Sequence, residues 1–235
     1  MRRREFISLV GAMTAAWPFV ARGHQGGMKR SDVLMSAAQT DLEETFSDGY
    51  RKSIIISRKT TGTCRLTPEE FRTAYPKLRA WIQKTLEFYE KNAKPIASMH
   101  FVRLPLYFDH SLLDTAKFIA IDRLPMPPLS AMGLSRFTAF EQGNLHGVTY
   151  LDRYFIKRTV VTEEAIHFHE LIHVIQWRLL GPEDFLAAYA NGLDEFGYEN
   201  SPLEKMAYDA EAAFKRSFPI FDAEKFVAEQ LGRLP

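Results

Sequence analysis

The sequence predicts an α+β fold, and three observations lead there. Strand-like apolar runs fall only in the first two-thirds of the chain, at Ser53–Ser57, Met99–Leu104, Lys117–Ile121 and Val148–Ile156. From Thr162 onward the pattern is helical, punctuated by Gly181-Pro182, Asn191-Gly192 and Ser201-Pro202. No alternating strand–helix–strand pattern marks a parallel doubly wound sheet, so strands and helices are segregated. With 46% hydrophobic residues over 235 positions, the chain can build its own core.

The elements follow in order. Met1-Arg2-Arg3-Arg4-Glu5-Phe6-Ile7 leads into an apolar stretch that runs to Ala21, interrupted by Pro18 and by small or weakly polar residues. A basic start, a short apolar run and a small-residue exit form an export signal. The stretch is too short to span a bilayer as a mature helix. Arg3-Arg4 followed by x-Phe-Ile is similar to a twin-arginine signal, and Ala21-Arg22-Gly23 offers a cleavage site. The competing reading is the basic start of a buried helix. Residues 1–23 are expected to be removed, leaving residues 24–235 as one domain, periplasmic or secreted. Removal takes away Arg2, Arg3, Arg4, Arg22 and Glu5, leaving 26 basic and 28 acidic residues, a net charge of −2.

Residues 24–30 read as a flexible lead, and Asp32–Phe46 has helical spacing. Thr67-Pro68-Glu69-Glu70 is a helix start, with Thr67 as N-cap, Pro68 in the first turn and Glu70 closing a capping box. That helix carries Phe71, Leu78, Trp81, Ile82, Leu86 and Phe88, with a kink or break expected at Pro76. Leu124–Leu129 holds three prolines and is a loop. Val148–Ile156 is a strand or hairpin entered through turn-like Gly143-Asn144 and Gly147.

Several function classes drop out. The whole chain has a formal charge of +1, which offers no basic footprint for nucleic acid or an anionic membrane. The single Cys64 excludes an intramolecular disulfide framework and any multi-cysteine zinc site.

His169-Glu170-Leu171-Ile172-His173 lies in the helix expected to begin at Thr162 and end at Gly181-Pro182, with Thr162 as its cap and Glu163-Glu164 complementing the dipole. At about 100° per residue, the two imidazoles stand about 40° apart around the axis and roughly 6 Å apart along it. Both therefore reach one tetrahedral metal, and Glu170 can address a water on it. Phe168, Leu171, Ile172, Val174, Ile175 and Leu179 are expected to bury the back of the helix. His167 projects about 160° away from His169 and is not expected to join the site. The plain alternative is a core helix carrying surface histidines.

The motif resembles that of the zincin metallopeptidases. The run His169–Trp177, with Gly197-Tyr198-Glu199-Asn200-Ser201-Pro202-Leu203-Glu204 and Ala207, is similar to a group of small bacterial zincins related to the gluzincins. The likeness covers about residues 145–212, so the active-site half is expected at about 145–235. It implies a zincin-like fold with one zinc per chain, held by His169, His173 and, from a second helix, Glu204. It implies Glu170 as the general base that takes a proton from the zinc-bound water and delivers it to the leaving nitrogen. It also implies that Gly147-Val148-Thr149-Tyr150 is an edge strand binding extended peptide. Where gluzincins often place a buttressing aspartate four residues after the ligand glutamate, this chain has Tyr208, with Asp209 one later.

Tyr189, Tyr198 and His146 are candidate oxyanion stabilisers. Asp194, Glu195 and Asp209 are candidate partners for the second ring nitrogens of the histidines. Ser201-Pro202-Leu203-Glu204 also reads as a capping box, which gives Glu204 a competing role and makes Glu211, on the same helix face, the reserve ligand.

The expected function is hydrolysis of peptide bonds by an exported zinc metallopeptidase acting on a peptide or protein substrate, with no nucleic-acid partner and no stable membrane anchor after signal removal. The rival is an exported zinc-binding protein whose site is structural or vestigial. A periplasmic solute binder is suggested only by the signal, and the chain lacks the βαβ pattern for it.

Overall fold

The computed structural model describes residues 66–216 and 219–232. The export signal, the flexible lead, the Asp32–Phe46 helix, the Ser53–Ser57 strand and Cys64 lie outside the described residues. Helix α1 spans Pro68–Tyr89 and starts with the expected capping box between Thr67 and Glu70. It continues through Pro76 without ending. Pro76 lies on the exposed side, where the Arg72 carbonyl it frees meets solvent rather than protein.

Four strands make one sheet: β1 (Lys94–Pro95), β2 (Lys117–Ile121), β3 (Gly147–Tyr150) and β4 (Arg153–Lys157), in the order β1-β2-β4-β3. β2 and β4 are parallel, and the outer pairs are antiparallel. The expected strand or hairpin at Val148–Ile156 is the β3–β4 hairpin, turning through Leu151 in the left-handed region. The expected strand at Met99–Leu104 does not form. The segment runs from a 3-10 turn at Ile96–Met99, through left-handed His100, into a second 3-10 turn at Leu104–Leu106. Its Leu104 is buried and its Phe101 packs against the core, so the apolar pattern reflects burial without a ladder partner.

Short helices α2 (His110–Thr115) and α3 (Thr138–Glu141) flank the sheet strands. Helix α4 spans Glu164–Phe196 and is interrupted at Gly181, whose φ of 76° and ψ of 167° are not helical. Gly181-Pro182 thus breaks the helix as expected, but a second helical segment follows at once. The start differs from expectation: Glu163, not Thr162, is the N-cap and makes no side-chain cap bond. Glu164 instead accepts from the Arg103 and Leu104 amides at 2.8 and 3.0 Å, tying the segment before α2 to the start of α4. Helices α5 (Pro202–Lys215) and α6 (Ala223–Leu231) complete the described chain.

The two faces of the sheet bury two cores. Phe118, Tyr154 and Ile156 face the first half of α4 and helices α5 and α6, meeting Phe168, Leu171 and Phe214. Ile119, Val148 and Phe155 face α1 and the second half of α4, meeting Leu78, Ile82 and Phe185. The back of α4 is buried as expected except at Leu179, which is 51% exposed because it lies in the last turn before the break. The architecture is mixed, with a small sheet and mostly helical content, consistent with α+β. Among the described residues no helix is long and apolar enough to cross a membrane.

Candidate metal centre

Helix α4 brings His169 and His173 onto one face, and α5 packs against that face and delivers Glu204. All three are buried, and one ligand atom from each lies within 4.8 Å of the others. His169 Nε2 and His173 Nε2 are 3.1 Å apart. The carboxylate oxygens of Glu204 lie 3.5 Å from His169 Nε2 and 3.4 Å from His173 Nε2. Ligands about 2.0–2.1 Å from a tetrahedral zinc are separated by about 3.3 Å, and the two imidazole nitrogens, each with one Glu204 oxygen near it, are spaced close to that.

The hydrogen bonds around the triangle fix which nitrogen faces inward. His169 Nδ1 is 3.1 Å from Glu211 Oε2, a carboxylate oxygen that only accepts. His173 Nδ1 is 2.8 Å from Gln176 Oε1. The Gln176 amide orientation follows from its other end, which donates to the Leu203 carbonyl at 3.0 Å and approaches the Met206 sulfur at 3.3 Å. Both Nδ1 atoms therefore donate outward, and in the neutral rings both Nε2 lone pairs point at the same space. Two acceptors at 3.1 Å need a cation between them.

The electrostatics agree. Glu170, Glu204 and Glu211 are all buried here, and among the described residues the ammonium paired with them is that of Lys215, on Glu211. Burial opposes a charge on His169, but the Glu204 and Glu211 carboxylates beside its ring outweigh it and push its pKa up to about 10. Burial likewise works against the Glu204 carboxylate, and the two histidines overcome it and hold the group far below the usual range. Glu204 Oε2 has no hydrogen-bond partner although it is buried. An orphaned carboxylate oxygen beside two convergent imidazoles fits a metal ligand, which would satisfy it.

Glu204 does not close a capping box. Ser201 is the N-cap of α5 but makes no side-chain cap bond, and the Glu204 carboxylate turns to the histidines instead. Tyr189 Oη donates to Glu204 Oε1 at 2.5 Å, orienting the carboxylate from the second segment of α4. Glu211, the reserve ligand, falls outside the triangle and holds His169 from behind.

Glu170 lines the same cleft as His173 and Glu204 but belongs to neither ligand nor support set. Thr149 Oγ1 donates to Glu170 Oε2 at 2.6 Å. Burial raises the Glu170 pKa above the ordinary carboxyl value, against the pull of His169, His173 and Thr149. Strand β3 passes directly over this carboxylate. A Cβ at Gly147 would lie 2.2 Å from Glu170 Oε1, so only glycine permits the approach.

Among the described residues strand β3 lies at the edge of the sheet, where it was expected. Lys157 donates to the His146 carbonyl at 2.9 Å, which sets the ladder parity so that the main-chain groups of Gly147 and Thr149 face away from β4. The Thr149 carbonyl is occupied by Trp177 Nε1 at 3.2 Å, whereas among the described residues neither amide nor the Gly147 carbonyl has a partner.

Other expected residues are placed elsewhere. Asp194 accepts from the Leu66 amide and Arg136, and Asp209 pairs with Lys205, so neither supports a histidine. Gln176 and Glu211 have that role. His146 is exposed and does not line the cleft, whereas Tyr198 lines it and shares a hydrogen bond with Tyr208. His167 points away from the site, as expected, to Tyr154 and the Val161 carbonyl. Tyr208 packs on the His169 ring with centroids 4.6 Å apart. Gln176 was findable by its position three residues after His173 on the same helix face. No family model matches the chain, and no curated protein or solved structure is significantly similar to it.

Proposed function

We propose that the chain is an exported, zincin-like zinc metallopeptidase that hydrolyses peptide bonds. The observation that carries the reading is Glu170. This buried carboxylate is neither a ligand nor a buttress, and it is held by Thr149 beside three convergent ligand atoms and beneath the open edge of β3. A purely structural four-ligand site has no use for such a group. His169, His173 and Glu204 would hold the zinc, which when bound would supply Lewis acidity and lower the pKa of a water.

The side chains divide the remaining work. Gln176 and Glu211 fix the ring tautomers, and Tyr189 fixes the Glu204 carboxylate. The free amides of β3 and the Gly147 carbonyl suit an extended peptide lying antiparallel or parallel to the edge. Glu170 accepts a proton from the attacking water and returns it to the leaving nitrogen, and its burial-raised pKa suits that exchange. Export rests on Arg3-Arg4 and the apolar run behind them. Replacing Arg3 and Arg4 by Lys is expected to block export of a fusion to a folded reporter.

The central test is metal content beside cleavage of a mixed peptide library. The wild-type chain should hold one zinc and cleave, and Glu170→Gln should keep the zinc while turnover falls roughly 10²-fold or more. A wild-type protein that holds zinc and cleaves nothing refutes the peptidase reading.

A further inference from the structure

The cleft that opens on the metal centre has two unlike walls. The wall formed by α4, α5 and β3 carries Thr149, Glu170, His173, Tyr189, Tyr198 and Glu204. The opposite wall is built from α1 and residues 127–145, where Phe71, Tyr75, Leu134, Phe137 and Phe140 line the space. Among the described residues of the lining, only Glu170, His173 and Glu204 carry charged or imidazole side chains. Phe71, Tyr75 and Phe140 are partly buried and line the cleft, so this wall presents aromatic surface to it.

We infer that this cleft selects a peptide segment presenting a large, uncharged apolar side chain to the α1 wall, beside the bond held at the metal. The inference deepens the peptidase reading and rests on it for the word substrate, but the binding claim stands on the lining itself. Two features commit the occupant to a peptide rather than to a free hydrocarbon. The Gly147 amide and carbonyl and the Thr149 amide, which have no partner among the described residues, run along the cleft and match a peptide backbone. Successive side chains of an extended segment point to opposite sides, so a chain paired with β3 offers alternate residues to the apolar wall. An aspartate or lysine placed there would lose its hydration with no opposite charge to meet it.

The test is binding, measured apart from turnover. Blocked heptapeptides identical except for one central residue, Phe, Leu, Ala, Asp or Lys, are titrated into the mature wild-type protein stripped of metal, so that nothing is cleaved. Affinity should fall by roughly tenfold or more from Phe to Ala and further for Asp and Lys. Phe71→Ala and Phe140→Ala, both at partly exposed positions, should flatten the preference between Phe and Ala while the fold is kept. Equal affinity across the series, or no binding at all, overturns the inference. Preferential binding of decanoate over every peptide would assign the cleft to an acyl chain and overturn it as well. Side-chain-dependent binding without cleavage by the zinc-loaded protein would instead refute the peptidase reading and leave this inference standing.

Discussion

His167 and His169 are two residues apart on the same helix and both are buried, yet their surroundings make them different chemical objects. His167 has both nitrogens occupied: Tyr154 Oη lies 2.6 Å from Nδ1 and the Val161 carbonyl 2.8 Å from Nε2. Aromatic rings of Phe101, Phe118 and Tyr154 surround it, and burial lowers its pKa below the usual histidine value. It is neutral, satisfied and structural. In the His169 region each ring has one nitrogen anchored by Gln176 or Glu211, and the other faces its neighbour across 3.1 Å with a carboxylate closing the triangle. A buried histidine therefore signals a metal ligand not by being buried but by having one nitrogen deliberately left without a hydrogen-bond donor.

The largest effects should come from breaking the second region. His173→Ala removes a ligand and should abolish stoichiometric zinc binding, read as metal content after dialysis. Glu204→Gln should lower zinc affinity by orders of magnitude, because glutamine is a poor, uncharged zinc ligand. Glu211→Gln is the sharper contrast. It keeps a side chain able to meet His169 Nδ1 but removes the charge, so affinity should fall about 10–100-fold, between wild type and Glu204→Gln. Equal losses in Glu204→Gln and Glu211→Gln would contradict the assignment of one as ligand and the other as support.

A smaller effect is expected at Gly147. Its added methyl in Gly147→Ala would collide with the end of the Glu170 side chain, which burial and Thr149 hold in place, so the carboxylate or the strand must shift. Turnover should drop while zinc content stays at one per chain. Loss of zinc instead would mean that β3 supports the ligands rather than the base.

How much of this was readable in the sequence depends on how local each feature is. The relation of His169, Glu170 and His173 is set by helical geometry alone, and β3 was placed at the correct residues. Of the two supports, Gln176 follows His173 by three on the same helix face and was readable, but Glu211 was not, because its position behind His169 exists only once α5 is packed on α4. Asp194 and Asp209 looked as near in sequence, and tertiary packing sends them to Leu66 with Arg136 and to Lys205. Met99–Leu104 misled because alternating burial does not need a strand partner. Leu179 misled because the helix runs past the core it was assumed to cover.

The smallest expected effect belongs to the first region and tests the comparison from its other side. His167→Phe fills the aromatic pocket with a ring but strands the buried Tyr154 Oη and the part-buried Val161 carbonyl. Leaving a buried polar group unpaired costs about 1–3 kcal/mol, which for a domain of this size lowers the melting temperature by about 2–4 °C per kcal/mol. Because His167 makes no contact with the triangle, zinc content and turnover at room temperature should be unchanged. Adding Tyr154→Phe removes one stranded group and should recover part of the lost stability, since replacing both partners by apolar groups is far milder than orphaning one. If His167→Phe instead lowered zinc affinity while leaving the melting temperature of the metal-free protein untouched, the division of α4 into a structural and a metal-binding histidine region would fail.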